Sequence, residues 1–130
     1  MKKYLVIAGI LAGLGVILGA MGAHGLRNDL DPVQLNSYLT GVRYQFYHAF
    51  AILITCLLYM HFKQKQFLLA NLLFFIGILL FSGSIYILST KGVTGIELPR
   101  AFGFVTPVGG LVFVAAWLVF VWGCLKIKNA

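Results

Sequence analysis

Hydrophobic and polar positions along this chain alternate on the scale of whole segments rather than single turns. Ten basic and three acidic residues break it into four uncharged windows, 4–26, 44–62, 66–90 and 101–125, each of 19 to 25 residues. At 1.5 Å rise per residue, about 20 residues cross a hydrocarbon core of about 30 Å, so each window is long enough to span as a helix. In lipid every backbone N–H and C=O must be satisfied internally, and a closed barrel would need strands of alternating polarity that these windows lack. The predicted fold is all-α: a four-transmembrane-helix bundle forming a single integral membrane domain over 1–130, with spans at about 4–26, 43–62, 66–90 and 101–125.

The connections carry their own signals. Residues 62–66 leave room only for a tight turn, which makes the second and third spans an antiparallel hairpin. Asp31-Pro32 reads as an N-cap followed by proline at the first helical position. Leu35, Tyr38, Leu39 and Val42 then follow at i, i+3, i+4 and i+7. This predicts a short amphipathic interfacial helix between helices 1 and 2, running into the second span or kinking at Gly41. Lys91 to Gly95, with two glycines, reads as a turn. In the first span Gly9 and Gly13 form a GxxxG pair, and Gly15, Gly19 and Ala23 continue small residues at four-residue spacing. Packing within the chain is the favoured reading of that face, with a homo-oligomer through Gly9, Gly13, Gly15 and Gly19 as the alternative.

Charge orients the spans. Lys2, Lys3, Lys63, Lys65, Lys126 and Lys128 fall on the side of both termini, without an acid. Arg27, Arg43, Lys91 and Arg100 fall on the other, with Asp29, Asp31 and Glu97. Basic residues mark the cytoplasmic side, so the expected topology is N-in, C-in, in a bacterial cytoplasmic (inner) membrane. The N-terminal Met1-Lys2-Lys3 and its apolar stretch imitate a signal peptide, but the stretch is too long for an h-region and is expected to remain as the first span.

Composition agrees with membrane residence: 61% of residues are hydrophobic and 10% charged, against about 25% charged in soluble proteins. The net charge of +7 is scattered in ones and twos between apolar runs, which is no basic face for a nucleic acid. Cys56 and Cys124 have no CxxC spacing and read as reduced thiols.

Polar groups inside spans are costly, so their positions carry the functional information. His24 ends the first span; Tyr44, Gln45 and His48 open the second; Ser82, Ser84 and Tyr86 lie in the outer half of the third, and Thr106 with Pro107 in that of the fourth. Tyr44, His48, Ala51 and Thr55 form one helical stripe, and Ser82, Tyr86 and Ser89 another, both expected to face the interior. These stripes predict a small outward-opening polar cavity lined by His24, Gln45, His48, Ser82 and Tyr86. Tyr44, Thr106, Arg43 and Arg100 complete the candidate ligand-binding set. The competing structural reading is that these groups satisfy one another and fasten the bundle. Tyr4, Tyr38, Tyr59 and His61 read as interface anchors.

Four segments are distinctive in combination: Gly19-Ala20-Met21-Gly22-Ala23-His24-Gly25-Leu26, Val42-Arg43-Tyr44-Gln45-Phe46-Tyr47-His48-Ala49, Phe81-Ser82-Gly83-Ser84, and Thr106-Pro107-Val108-Gly109-Gly110. In this order they resemble the YgdD/YwdK-type family of small bacterial inner-membrane proteins, with Met21 where that pattern has Phe. The resemblance covers nearly the whole chain. It implies a four-span membrane protein of a functionally uncharacterised family and supplies no catalytic residue to carry over.

The residues favour a non-enzymatic membrane protein whose outer polar half binds a membrane lipid, a small amphiphile or a partner helix. Arg43, Arg100 and His24 would offer positive charge to a phosphate. No cofactor is predicted. The first alternative is a haem or transition metal held between His24 and His48, since imidazole suits such metals and bundle cores hold them. The second is an oligomeric transporter or proton relay using an intramembrane histidine. Ser82 or Ser84 with a histidine lacks an in-span acid and an elbow motif, which disfavours hydrolase chemistry.

Overall fold

A computed structural model describes residues 1–128. Among them the chain forms α1 (Lys2–Ala23), α2 (Pro32–Phe62), α3 (Lys65–Thr94) and α4 (Val105–Leu125), with a short 3-10 turn, Arg100–Phe104, leading into α4. All four α-helices are long and apolar enough to cross a membrane. The start of α1, the end of α4 and the α2–α3 turn share one end of the molecule, the terminal end. The α1–α2 and α3–α4 connections share the other, the distal end.

The helix boundaries correct three expectations. Helix α1 stops at Ala23 rather than Leu26: the His24 amide donates to Ala20 O at 3.1 Å and Leu26 N to Met21 O at 2.8 Å, closing the last turn where Gly22 and Gly25 weaken it. The expected interfacial helix is not a separate element but the opening turns of α2, which runs unbroken for 31 residues, about 46 Å at the α-helical rise. Its start is as expected, a capping box in which Asp31 Oδ1 accepts from Gln34 N at 2.8 Å and Gln34 Oε1 from Asp31 N at 3.3 Å. The helix is not interrupted at Gly41, and neighbouring helices hold it on either side. The Tyr38 hydroxyl donates to Leu18 O of α1 at 2.6 Å, and the Ser82 hydroxyl of α3 donates to Gly41 O at 2.7 Å. Finally, the expected turn at 91–95 is helical through Thr94; only Gly95, at φ +72°, takes the left-handed conformation that ends α3.

Each helix packs on its neighbour in sequence, α1 on α2, α2 on α3 and α3 on α4. Contacts within each pair run in opposite directions along the chain, as antiparallel neighbours require. On α1, Ala8, Leu11, Gly15 and Gly22 are the buried positions. Phe46 fills the space beside Gly15, and Tyr38 that beside Gly22. A Cβ at Gly9 or Gly13 would meet nothing within 4 Å among the described residues, so the small-residue face splits and its GxxxG pair faces outward. Between α3 and α4 the backbones approach closely: a Cβ at Gly109 would run into Phe81 N and lie 2.8 Å from Leu80 C. Pro107 falls in the first turn of α4, where its missing N–H removes no helical hydrogen bond.

Exposure is inverted relative to a soluble protein. Val16, Leu111 and Leu118 point outward, more than 60% exposed, whereas Gln45, His48, Thr55, Asn71 and Ser82 lie within 4% of full burial. That distribution suits a hydrocarbon surround, where apolar burial does not drive helix association and interhelical hydrogen bonds and close packing do. At the terminal end, lysines lie over aromatic rings in three segments: Lys3 over Tyr4 at 5.2 Å, Lys63 over Tyr59 at 5.7 Å and Lys126 over Trp122 at 4.6 Å.

Candidate functional site

The residues singled out in the sequence fall into three places. The first is a closed seam through α1, α2 and α3. Gln45 is its centre: its Nε2 donates to Leu11 O at 2.7 Å, and its Oε1 accepts from the Tyr86 hydroxyl at 2.7 Å. Ser82 bonds Gly41 O one turn away, and Tyr86 packs its ring 5.4 Å from that of Tyr38. These side chains use the second lone pair of helical carbonyls, so the backbone ladders stay intact. Among the described residues no buried side-chain nitrogen or oxygen is left without a partner. Gln45, Ser82 and Tyr86 therefore do not line a shared opening with the histidines; their polar atoms are consumed by one another and by main chain.

The second place is the α2–α4 contact around His48, which is buried. Its Nδ1 lies 2.7 Å from Tyr44 O, an obligate acceptor, and Trp117 Nε1–H donates to its Nε2 at 3.2 Å. The partners fix the neutral Nδ1–H tautomer. Phe113 stacks on the ring at 3.5 Å and 8°. Both ring nitrogens are thus engaged, while His24 is exposed at the far end of α1. Among the described residues there is no group of three or more His, Cys, Asp or Glu that could hold a metal ion, and the two histidines do not converge as a ligand pair. Beside His48 runs an aromatic groove of about 580 Å³, lined by Tyr44, Phe81, Phe113 and Trp117 together with Gly110.

The third place is a cleft of about 540 Å³ at the distal end. It exists because α4 starts late: Thr106, in its first turn, sits level with Ser84 of α3, their hydroxyls 2.5 Å apart. The last turns of α3 and the first of α2 rise past that point and leave a step. Ser37 and Thr40 of α2, Ser89 and Lys91 of α3, and Gly103 and Thr106 contribute to its walls. Thr40 is doubly engaged, donating to Asn36 O at 3.0 Å and accepting from Arg43 Nη2 at 2.9 Å, so the Arg43 guanidinium is held against the outside of the wall. Arg100 is exposed on the 3-10 turn.

Three contributors escaped the sequence reading. In the sequence Lys91 shows only as a charge at a predicted turn; it lies one helical turn before the Gly95 stop and lines the cleft. Trp117 lay in the most apolar stretch, and only its indole N–H hinted at a partner. Asn71 was the clearest available signal, an amide deep in an uncharged window. It is fully buried, donates from Nδ2 to Cys56 Sγ at 3.4 Å and accepts the Thr55 hydroxyl, making a second polar contact nearer the terminal end.

Comparison with known proteins agrees with this architecture. Residues 18–110 match the family described as protein of unknown function DUF423. The UPF0382 membrane protein YwdK of Bacillus subtilis is 39% identical over 127 residues, 97% of this chain and 98% of its own. The UPF0382 membrane protein of Haemophilus influenzae is 35% identical, covering 98% of both chains. The UPF0382 inner membrane protein YgdD of Escherichia coli is 34% identical over 96% of this chain and 91% of its own. No solved structure matches. Matched along nearly its full length by these proteins and over residues 18–110 by the family itself, the chain belongs to the DUF423, or UPF0382, family of membrane proteins.

Proposed function

We propose that this protein is a non-enzymatic inner-membrane protein, N-in and C-in, that holds a lipid or other small amphiphile in its distal cleft. The observation that carries the reading is the cleft itself, about 540 Å³, within the usual range of about 300–1,000 Å³ for small-ligand sites. Its walls divide by chemistry: Asn36, Ser37 and Lys91 form a polar side, and Val33, Ile85 and Leu88 an apolar one. A molecule with a polar head and an acyl chain matches both. The inner-membrane designation of the Escherichia coli relative supports the location. The terminal lysines over Tyr4, Tyr59 and Trp122 support the orientation, because such pairs suit an interface on the cytoplasmic side.

The engaged state of His48 weighs against the metal and proton-relay readings. A ligand or a mobile proton would need a ring nitrogen that Tyr44 O and the Trp117 indole already use. Lipid retained by the detergent-purified protein, measured by native mass spectrometry, tests the proposal. Ser37→Leu combined with Gly103→Leu fills the cleft and should abolish retention, whereas Gly9→Leu, on an open face, should leave it intact. Equal retention in all three proteins would remove the cleft as the site.

A further inference from the structure

We infer that the distal cleft selects an anionic phosphate, recognised by Lys91 with Arg43 behind it, rather than a zwitterionic headgroup. The inference rests on the amphiphile reading and narrows its ligand. It follows from what lines the cleft and from what does not. Lys91 is the one charged side chain in the lining, and neither a carboxylate nor an aromatic ring joins it. Quaternary ammonium groups are recognised by aromatic cages, and primary ammonium groups by carboxylates, so a headgroup cation has no counterpart here.

Donors for a phosphate are present on two walls. The Lys91 ammonium is exposed on α3, opposite Asn36 and Ser37 on α2, also exposed. Arg43 strengthens the positive side. One of its N–H groups is fixed on Thr40 Oγ1 at 2.9 Å, and Thr40 itself lines the cleft. Arg43 is exposed outside the lining, and its planar guanidinium carries further donors of the kind that match phosphate oxygens. The acids of this end lie outside the lining, and Asp31 is occupied in the α2 cap. Lys91 also sits in the last turn of α3, where a cation favours the helix dipole. A purely helix-stabilising role predicts a change in thermal stability without a change in lipid preference.

The test uses the full-length protein in neutral detergent, titrated with phosphatidylglycerol or phosphatidylcholine of identical chains and read by native mass spectrometry. The wild type should prefer phosphatidylglycerol by about tenfold, the size of one charge-assisted hydrogen bond expressed as affinity. Lys91→Gln should abolish the preference, Lys91→Arg should keep it, and Arg43→Gln should reduce it. Excess inorganic phosphate separates the two sources of this chemistry. If it leaves phosphatidylglycerol binding unchanged, the ligand is a lipid. If inorganic phosphate binds in a Lys91-dependent way and neither lipid does, the phosphate assignment stands and the amphiphile reading falls. Equal binding of both lipids, unaltered by Lys91→Gln, overturns phosphate selection and leaves the amphiphile reading intact. No binding by either lipid or by phosphate overturns both.

Discussion

At the scale of single residues, the interior is held by polar atoms placed against main-chain carbonyls and by glycines placed against rings and backbone. The two classes respond differently to substitution. Gly109→Ala drives a methyl into the backbone of α3 at Phe81 and Leu80, which cannot yield as a side-chain end would. It should destabilise the protein by about 1–3 kcal/mol, whereas Gly13→Ala, with nothing within 4 Å, should be close to neutral. Thermal unfolding of both variants in the same detergent checks the contrast. Trp117→Phe keeps a ring beside His48 but removes the N–H that its Nε2 accepts. A loss of about 1 kcal/mol is expected. Restoring stability with a second change, His48→Phe, would identify the lost hydrogen bond rather than the lost ring volume as the cause.

At the scale of helices, the positions of the spans were legible and their ends less so. Charge-free windows marked all four because a single Lys or Asp in hydrocarbon is costly enough to be excluded. Where a helix stops depends on neighbours that a linear reading does not see. Gly41 and Gly92 looked like interruptions, yet helix α2 passes through the first under contacts from Tyr86 and Ser82, and α3 passes through the second. The polar stripes were equally legible as stripes. What each polar atom meets was not, since the distinction between an open cavity and a closed seam turns on Gln45 reaching Leu11, 34 residues away. The distal cleft was invisible for the same reason, being a product of the stagger between α4 and its neighbours. The N-cap was the exception, its signal being wholly local. Asp31→Ala removes the box at the start of α2 and should cost about 1 kcal/mol. Hydrogen exchange should show it as faster exchange of the Gln34 and Leu35 amides, with the turns beyond Tyr38 protected.

At the scale of the whole molecule, the asymmetry between ends makes a topological prediction. A fluorescent-protein fusion at the C-terminus should glow, and an alkaline phosphatase fusion there should be inactive. The same phosphatase inserted after Gly95, in the distal α3–α4 connection, should be active. The opposite pattern would invert the molecule and put the cleft on the cytoplasmic face. Replacing Lys63, Lys65, Lys126 and Lys128 by Gln should weaken this preference, giving a mixed population by the same reporters.

The neighbour-by-neighbour packing also bears on how the protein is made. A chain that enters the membrane from its N-terminus can dock each helix on the one before it, and the seam through α1, α2 and α3 needs nothing from α4 to close. The Trp117 indole reaches back 69 residues to His48, and α4 alone supplies it. Until that helix arrives, the imidazole faces lipid with one nitrogen unmet and the distal step has no floor. Closure of the aromatic contact and completion of the cleft thus both await α4, and a nascent chain that stalls before Val105 carries the polar spine without the Trp117 contact or the Thr106 wall of the cleft.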